Sequence, residues 1–217
     1  MKNIYQISVS AMALLAFAAC NKSDFDDLKQ FEVKQPMTLA VSKKKSITVP
    51  VGPASVEAQF ASKRKDKEVQ SAMVLKLQGK KVPFDLKQQS ILVVKNRMGR
   101  DVPHDLGGLQ VSAAESGQNL GVAISVLARE NVDYRSQATE SCTYTTSHTI
   151  CRGHGRERVC RTETVTHRGY QEVEHHYFGN ESDYRIELTA ADGSLAASGS
   201  LYVNAVQHSY HELTACR

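Results

Sequence analysis

Residues 184–201 read YRIELTAADGSLAASGSL, and this stretch decides the fold. Asp192-Gly193 signals a type I′ turn, because both central positions of that turn need positive φ. If Ala191 pairs with Ser194, then Tyr184 falls opposite Leu201, Ile186 opposite Gly199 and Leu188 opposite Ala197. All six are apolar or small and share one face. A slip of one residue would mix buried and exposed positions, so the pattern sets the register as well as the turn.

The same period-two texture continues upstream. Residues 109–114 and 120–128 flank Glu115-Ser116-Gly117-Gln118, with Val122, Ile124 and Val126 on one face and Gly121, Ala123 and Ser125 on the other. Residues 37–41 and 46–51 flank a turn at 42–45. Short alternating runs follow at 56–61, 72–78, 82–86 and 91–94. The charged stretch 62–68 reads as a solvated loop, and 96–108, with its Gly, Pro and Asp, as a long one. No segment after Pro36 carries a helical period. Many short strands separated by turn residues predict an all-β fold, an antiparallel β-sandwich over residues 36–217 with a long hairpin at 140–178. Two small β domains meeting near residues 129–139 are the alternative.

The hairpin holds most of the cysteine. Cys142, Cys151, Cys160 and Cys216 follow one another at spacings unlike those of zinc sites, whose ligand pairs sit two to four residues apart. If Gly155-Arg156 forms a two-residue type II′ turn, Cys151 lies opposite Cys160 at disulfide distance. The same register sets His148 opposite Glu163 as a cross-strand charge pair. Cys142 and Cys216 would then tie the hairpin base to the C-terminus. Four cysteines allow three pairings, and it is the register that favours 151–160.

The chain starts MKNIYQISVSAMALLAFAAC. A positive end followed by a short uncharged run is the form of a secretory signal, here residues 1–19, and is too short to span a bilayer. Ala16-Phe17-Ala18 fits the small-x-small rule for a cut after Ala18. Phe17-Ala18-Ala19-Cys20 resembles the lipobox of bacterial lipoproteins, with Phe17 where that family carries Leu or another aliphatic residue. The resemblance implies cleavage before Cys20, a lipid (palmitate-bearing) anchor on Cys20, and the membrane as a partner. Asn21 in place of Asp implies the outer membrane. An odd cysteine count in an exported chain leaves one thiol over, and lipidation of Cys20 would use it. Residues 20–35, polar with Asp24, Asp26 and Asp27, read as a lipidated tether able to reach about 50 Å when extended.

Composition narrows the chemistry less. A hydrophobic share of 41% and a net charge of +4 are ordinary for a globular chain and make no case for nucleic acid. Among the histidines, His175 and His176 are neighbours on a strand and must face opposite ways, while His208 and His211 converge only on a helix. No metal site and no cofactor is expected from them. No Gly-x-Ser-x-Gly elbow, His-Glu-x-x-His or phosphate loop is present, and Asp133, Glu140, Glu163, Glu172 and Glu174 form no recognisable pair, so no catalytic residue is expected. The hairpin tip is a candidate anion-binding element, because Arg152, His154, Arg156, Arg158 and Arg161 cluster there and guanidinium forks match phosphate. The chain reads as a non-catalytic structural or binding module of the bacterial cell envelope, with an envelope protein or anionic polymer as its partner. The alternatives are an inhibitor of an exogenous protease or lysozyme, and a histidine-based metal-binding protein.

Overall fold

A computed structural model describes residues 21–65, 68–87, 89–155 and 158–217. The expected signal at 1–19, the expected lipid-attachment residue Cys20 and the tip residue Arg156, with the turn expected at Gly155-Arg156, lie outside these or straddle their edge. The described residues contain no α-helix. β1 (Asn21–Lys22), β2 (Asp26–Val33), β3 (Met37–Ser42), β4 (Lys45–Val49) and β5 (Gly52–Pro53) open the chain. β6 (Val56–Lys65), β7 (Glu68–Leu77) and β8 (Lys80–Lys87) form a meander, followed by the short β9 (Val93–Lys95), β10 (Asp101–Pro103) and β11 (Leu109–Val111). Two long strands, β12 (Leu120–Arg152) and β13 (Val159–Ala190), precede β14 (Leu195–Asn204) and β15 (Gln207–Glu212). The protein is all-β with antiparallel sheets, the main one nearly closed on itself. Its residues divide into two compact units, one up to Asn131 with Gly179–Gln207, the other Val132–Phe178 with His208–Arg217.

The first unit has the layered core of a sandwich. Its sheet runs β11-β12-β13-β14-β2-β6-β7-β8. One wall contributes Phe60, Met73, Leu75 and Phe84, and the other Ile124, Tyr184, Ile186 and Leu201, all at most 2% exposed. The hairpin of residues 184–201 has the expected register: Tyr184 faces Leu201, Ile186 faces Gly199 and Leu188 faces Ala197. The turn differs from the expected type I′. Gly193 alone takes positive φ (83°), the Gly193 N–H donates to the Ala190 carbonyl at 2.9 Å, and a bulge follows Leu188. A turn closed at Ala190 with a left-handed glycine after it absorbs one residue and leaves the strand register unchanged. Gly199 has to be small, since a Cβ there would sit 2.8 Å from the Phe31 ring.

β2 corrects the expected tether. Asp26–Leu28 pair with β6, through Asp26↔Ala58 and Leu28↔Val56, while Lys29 and Val33 pair with Ser200 and Ala197 of β14. Gln30 (φ 52°) marks the corner between the two pairings. Leu28, Phe31 and Val33 are buried, so these residues join the two walls instead of spanning water. Of the expected loop at 62–68, Ser62–Lys65 and Glu68 are likewise paired backbone, Ser62↔Ser71 to Lys65↔Glu68, and part of the expected loop at 96–108 is β10.

At the far edge of this sheet the Gln118 side chain does the work of a peptide group. It accepts from the Ala40 N–H at 2.8 Å and donates to the Ala40 and Pro83 carbonyls at 2.9 and 2.6 Å, so it ties β3 to β8. A second polar knot lies between β12 and β13. The Arg129 guanidinium donates to Asp105 at 2.6 Å and to the Tyr184 hydroxyl at 3.3 Å, and that hydroxyl accepts the Leu106 N–H at 3.3 Å. Burial pushes the Asp105 carboxyl up, but Arg129, the Gly107 N–H and Tyr184 outweigh it and hold the group below the ordinary carboxylate value. A depressed carboxylate stabilises the fold above its unfolded pKa and loses that contribution as pH falls through the folded one. With Asp105 half exposed, solvent screening limits it to roughly 0.5–1 kcal/mol. We expect Asp105→Asn to be less stable than wild type at neutral pH and to close that gap as pH falls through and below the ordinary carboxylate range, about 4. Urea midpoints across that range test this, and a gap independent of pH would contradict it.

Candidate functional site

The second unit is built on different terms. Val173 is the one hydrophobic side chain it buries among the described residues. Its frame is the far part of β12 and β13, a two-stranded ribbon joined at its base by β15, which pairs with β13. A lone ribbon of this kind is marginal in water. Two disulfides compensate. Cys151–Cys160 closes the tip, with Cα atoms 3.9 Å apart, and Cys142–Cys216 fastens the C-terminal tail, with Cα atoms 5.9 Å apart. The tail also pairs by backbone, Tyr170 N–H to the Arg217 carbonyl at 2.8 Å and Leu213 N–H to the Glu172 carbonyl at 2.8 Å. Gly169 allows this, because a Cβ there would land on the Arg217 carbonyl.

The disulfide at the tip fixes which side chains share a face. Thr149 meets Thr162 at 3.3 Å and Ser147 meets Thr164 at 3.4 Å, hydroxyl to hydroxyl, in step with Cys151–Cys160. By alternation, Thr143 and Thr145 extend this row on β12 and Thr166 extends it on β13. All seven of these hydroxyl residues are exposed. This face was not among the site residues expected from sequence, although its signal is legible there as Thr-x-Thr-x-Ser-x-Thr at 143–149 and Thr-x-Thr-x-Thr at 162–166.

The opposite face carries the charge. Arg152 and Arg161 are strand neighbours of the paired cysteines and so point away from them. Arg152, His154, Arg158 and Arg161 are all exposed. Arg161 pairs with Glu163 at 3.5 Å, while Arg152 and Arg158 meet no carboxylate among the described residues. The expected His148–Glu163 pair is not made. Glu163 turns along its own strand to Arg161, and His148 approaches the Thr146 hydroxyl at 3.5 Å. Lower on this face the Tyr144 ring stacks on His167 (5.0 Å between centroids), and the Thr146 hydroxyl reaches the same imidazole at 2.8 Å.

The histidines at the ribbon base divide as alternation requires. His176 turns to Asp133 (2.8 Å), whereas His175 contacts Glu140 through Nε2 (3.1 Å) and His208 Nε2 through Nδ1 (2.9 Å). Tyr177 stacks on both His208 (4.6 Å) and Tyr134 (4.8 Å). Both ring nitrogens of His175 are thus engaged, and among the described residues no three His, Cys, Asp or Glu side chains are grouped to hold a metal ion. His208 and His211 lie on strand β15, not on the helix that would bring them together. The His175–His208 contact depends on β15 pairing with β13, a link across 33 residues of sequence.

The closed loops of 74 and 9 residues give different expected costs. By chain entropy, Cys142→Ser with Cys216→Ser should cost about 4 kcal/mol and Cys151→Ser with Cys160→Ser about 2.5 kcal/mol. Urea unfolding followed by tyrosine fluorescence measures both, and equal losses would refute the loop-length account. No protein-family model, no curated protein and no solved structure matches the chain.

Proposed function

We propose that the protein is an exported bacterial lipoprotein, anchored by lipid on Cys20, whose disulfide-braced hairpin is a non-catalytic binding element at the cell envelope, with the outer membrane as its expected location. The observation that carries this reading is the pairing of Cys142 with Cys216 and of Cys151 with Cys160. Two disulfides suit an oxidising compartment, and they leave Cys20 as the odd cysteine, the residue that the lipobox resemblance would lipidate. Binding through the hairpin is supported by its exposure on both faces together with its two cross-links, since an element ordered in advance loses less entropy when a partner docks. The arginines around the tip favour an anionic partner there. An inhibitor of an exogenous protease or lysozyme is the second reading, favoured by the same Cys151–Cys160 cross-link, which closes a short loop at the tip.

Intact mass of the protein purified from bacterial membranes, before and after reduction and alkylation, tests the anchor. The expected mass begins at Cys20 with acyl chains attached and gains four alkyl groups only after reduction. A mass beginning at Ala19 without lipid would refute the anchor and turn attention to the inhibitor reading.

A further inference from the structure

We propose that the hydroxyl face of the hairpin binds a neutral polysaccharide chain laid along the ribbon. This rests on the reading of the hairpin as a binding element, and not on the lipid anchor. From the disulfide at Cys151 and Cys160 to Arg168, this face carries hydroxyls and no charged side chain, the reverse of the arginine-bearing face behind it. By alternation along β13, Arg168 and then Tyr170 close its lower end. Tyr170 is 69% exposed, though its backbone is tied to Arg217 on both sides. A fixed backbone beneath a bare aromatic ring is a platform for the apolar face of a sugar ring. Next to it, the threonine and serine hydroxyls can each donate and accept, as sugar hydroxyls do, and Arg168 adds donors.

Size and shape separate this occupant from others. At ~3.3 Å per residue and ~4.8 Å between strands the face measures roughly 300 Å², well below the roughly 800 Å² per partner of a stable protein interface. A second copy docked on it would be held too weakly. Two-stranded ribbons also twist more than wide sheets, so their hydroxyls do not keep to a plane over their length. A rigid crystalline surface such as ice would lose register along it, whereas a flexible glycan chain can follow the twist. The cross-strand hydroxyl pairs have an ordinary structural use as well, as stabilising threonine pairs. Thr→Val substitution separates the two roles, because valine keeps the branched shape and strand preference and removes only the hydroxyl.

The test is native electrophoresis of the full-length mature protein in detergent, in gels cast with dextran, galactomannan or soluble starch. At least one of the three is expected to retard the protein, and ~0.5 M NaCl should leave the retardation unchanged. The triple variant Thr145→Val, Thr149→Val, Thr164→Val and the single variant Tyr170→Ala should each lose about tenfold or more in apparent affinity, with circular dichroism unchanged. Arg152→Ala with Arg161→Ala should bind as wild type. Retardation by none of the three, or equal retardation of the triple variant, overturns the proposal. So do thermal hysteresis without polysaccharide binding and dimerisation that the triple variant abolishes. Retardation only by charged polymers, lost in salt and in the arginine variant, overturns it while leaving the hairpin a binding element.

Discussion

A ribbon of two strands with solvent on both sides cannot be held together by burial, and the organisation of residues 132–178 follows from that constraint. Val173 is its one buried apolar side chain among the described residues. Covalent cross-links therefore take the place of a core. Each has a separate task. Cys151–Cys160 keeps the strand ends in register beyond the last pair of hydroxyl contacts, and Cys142–Cys216 brings the C-terminal tail onto the edge of β13, where backbone pairs at Tyr170 and Glu172 complete it. With cross-links in place of a core, the hydroxyl residues of one face and Arg152 and Arg161 on the other can all stay exposed. One face can be all hydroxyl and the other can carry arginine and histidine. In a core-bearing sheet one of those faces would have to be apolar.

The first unit solves the opposite problem, covering a large apolar interior with short strands. It depends on β2, which pairs with β6 before its corner at Gln30 and with β14 after it. That corner brings Leu28, Phe31 and Val33 into the interior from both sides of the bend. Gly199 leaves room for Phe31, and the Gln118 amide bridges β3 and β8 at the other edge. Small, specific features of this kind close the sheet, while the alternating strands supply the bulk of the core.

What could be read from the sequence was whatever is local and periodic. The register at 184–201 follows from six side chains of strict alternation, and a turn of another type left it intact because the bulge after Leu188 took up the difference. Cys151–Cys160 follows from the same logic around a glycine turn. β2 escaped because its corner breaks the period: Leu28 and Phe31 are three residues apart, and Asp26, Asp27 and Lys29 around them read as solvated. The strand residues Ser62–Lys65 and Glu68 escaped because backbone pairing needs no apolar side chain. The His175–His208 contact depends on a long-range strand pairing, β15 with β13, that no local pattern reports. The hydroxyl face was written plainly in period two, but polar residues on a polar strand resemble ordinary surface until the pairing shows both strands carrying the same chemistry on the same side.

Hydrogen exchange measured by mass spectrometry on the oxidised and the fully reduced protein tests most directly whether cross-links stand in for a core. The account predicts that amides in 141–152 and 159–169 exchange slowly when oxidised and lose that protection on reduction, while those of β6 to β8 and β14 do not change. Persistent protection of the hairpin after reduction would mean that burial or strand pairing alone holds it, and would contradict the account.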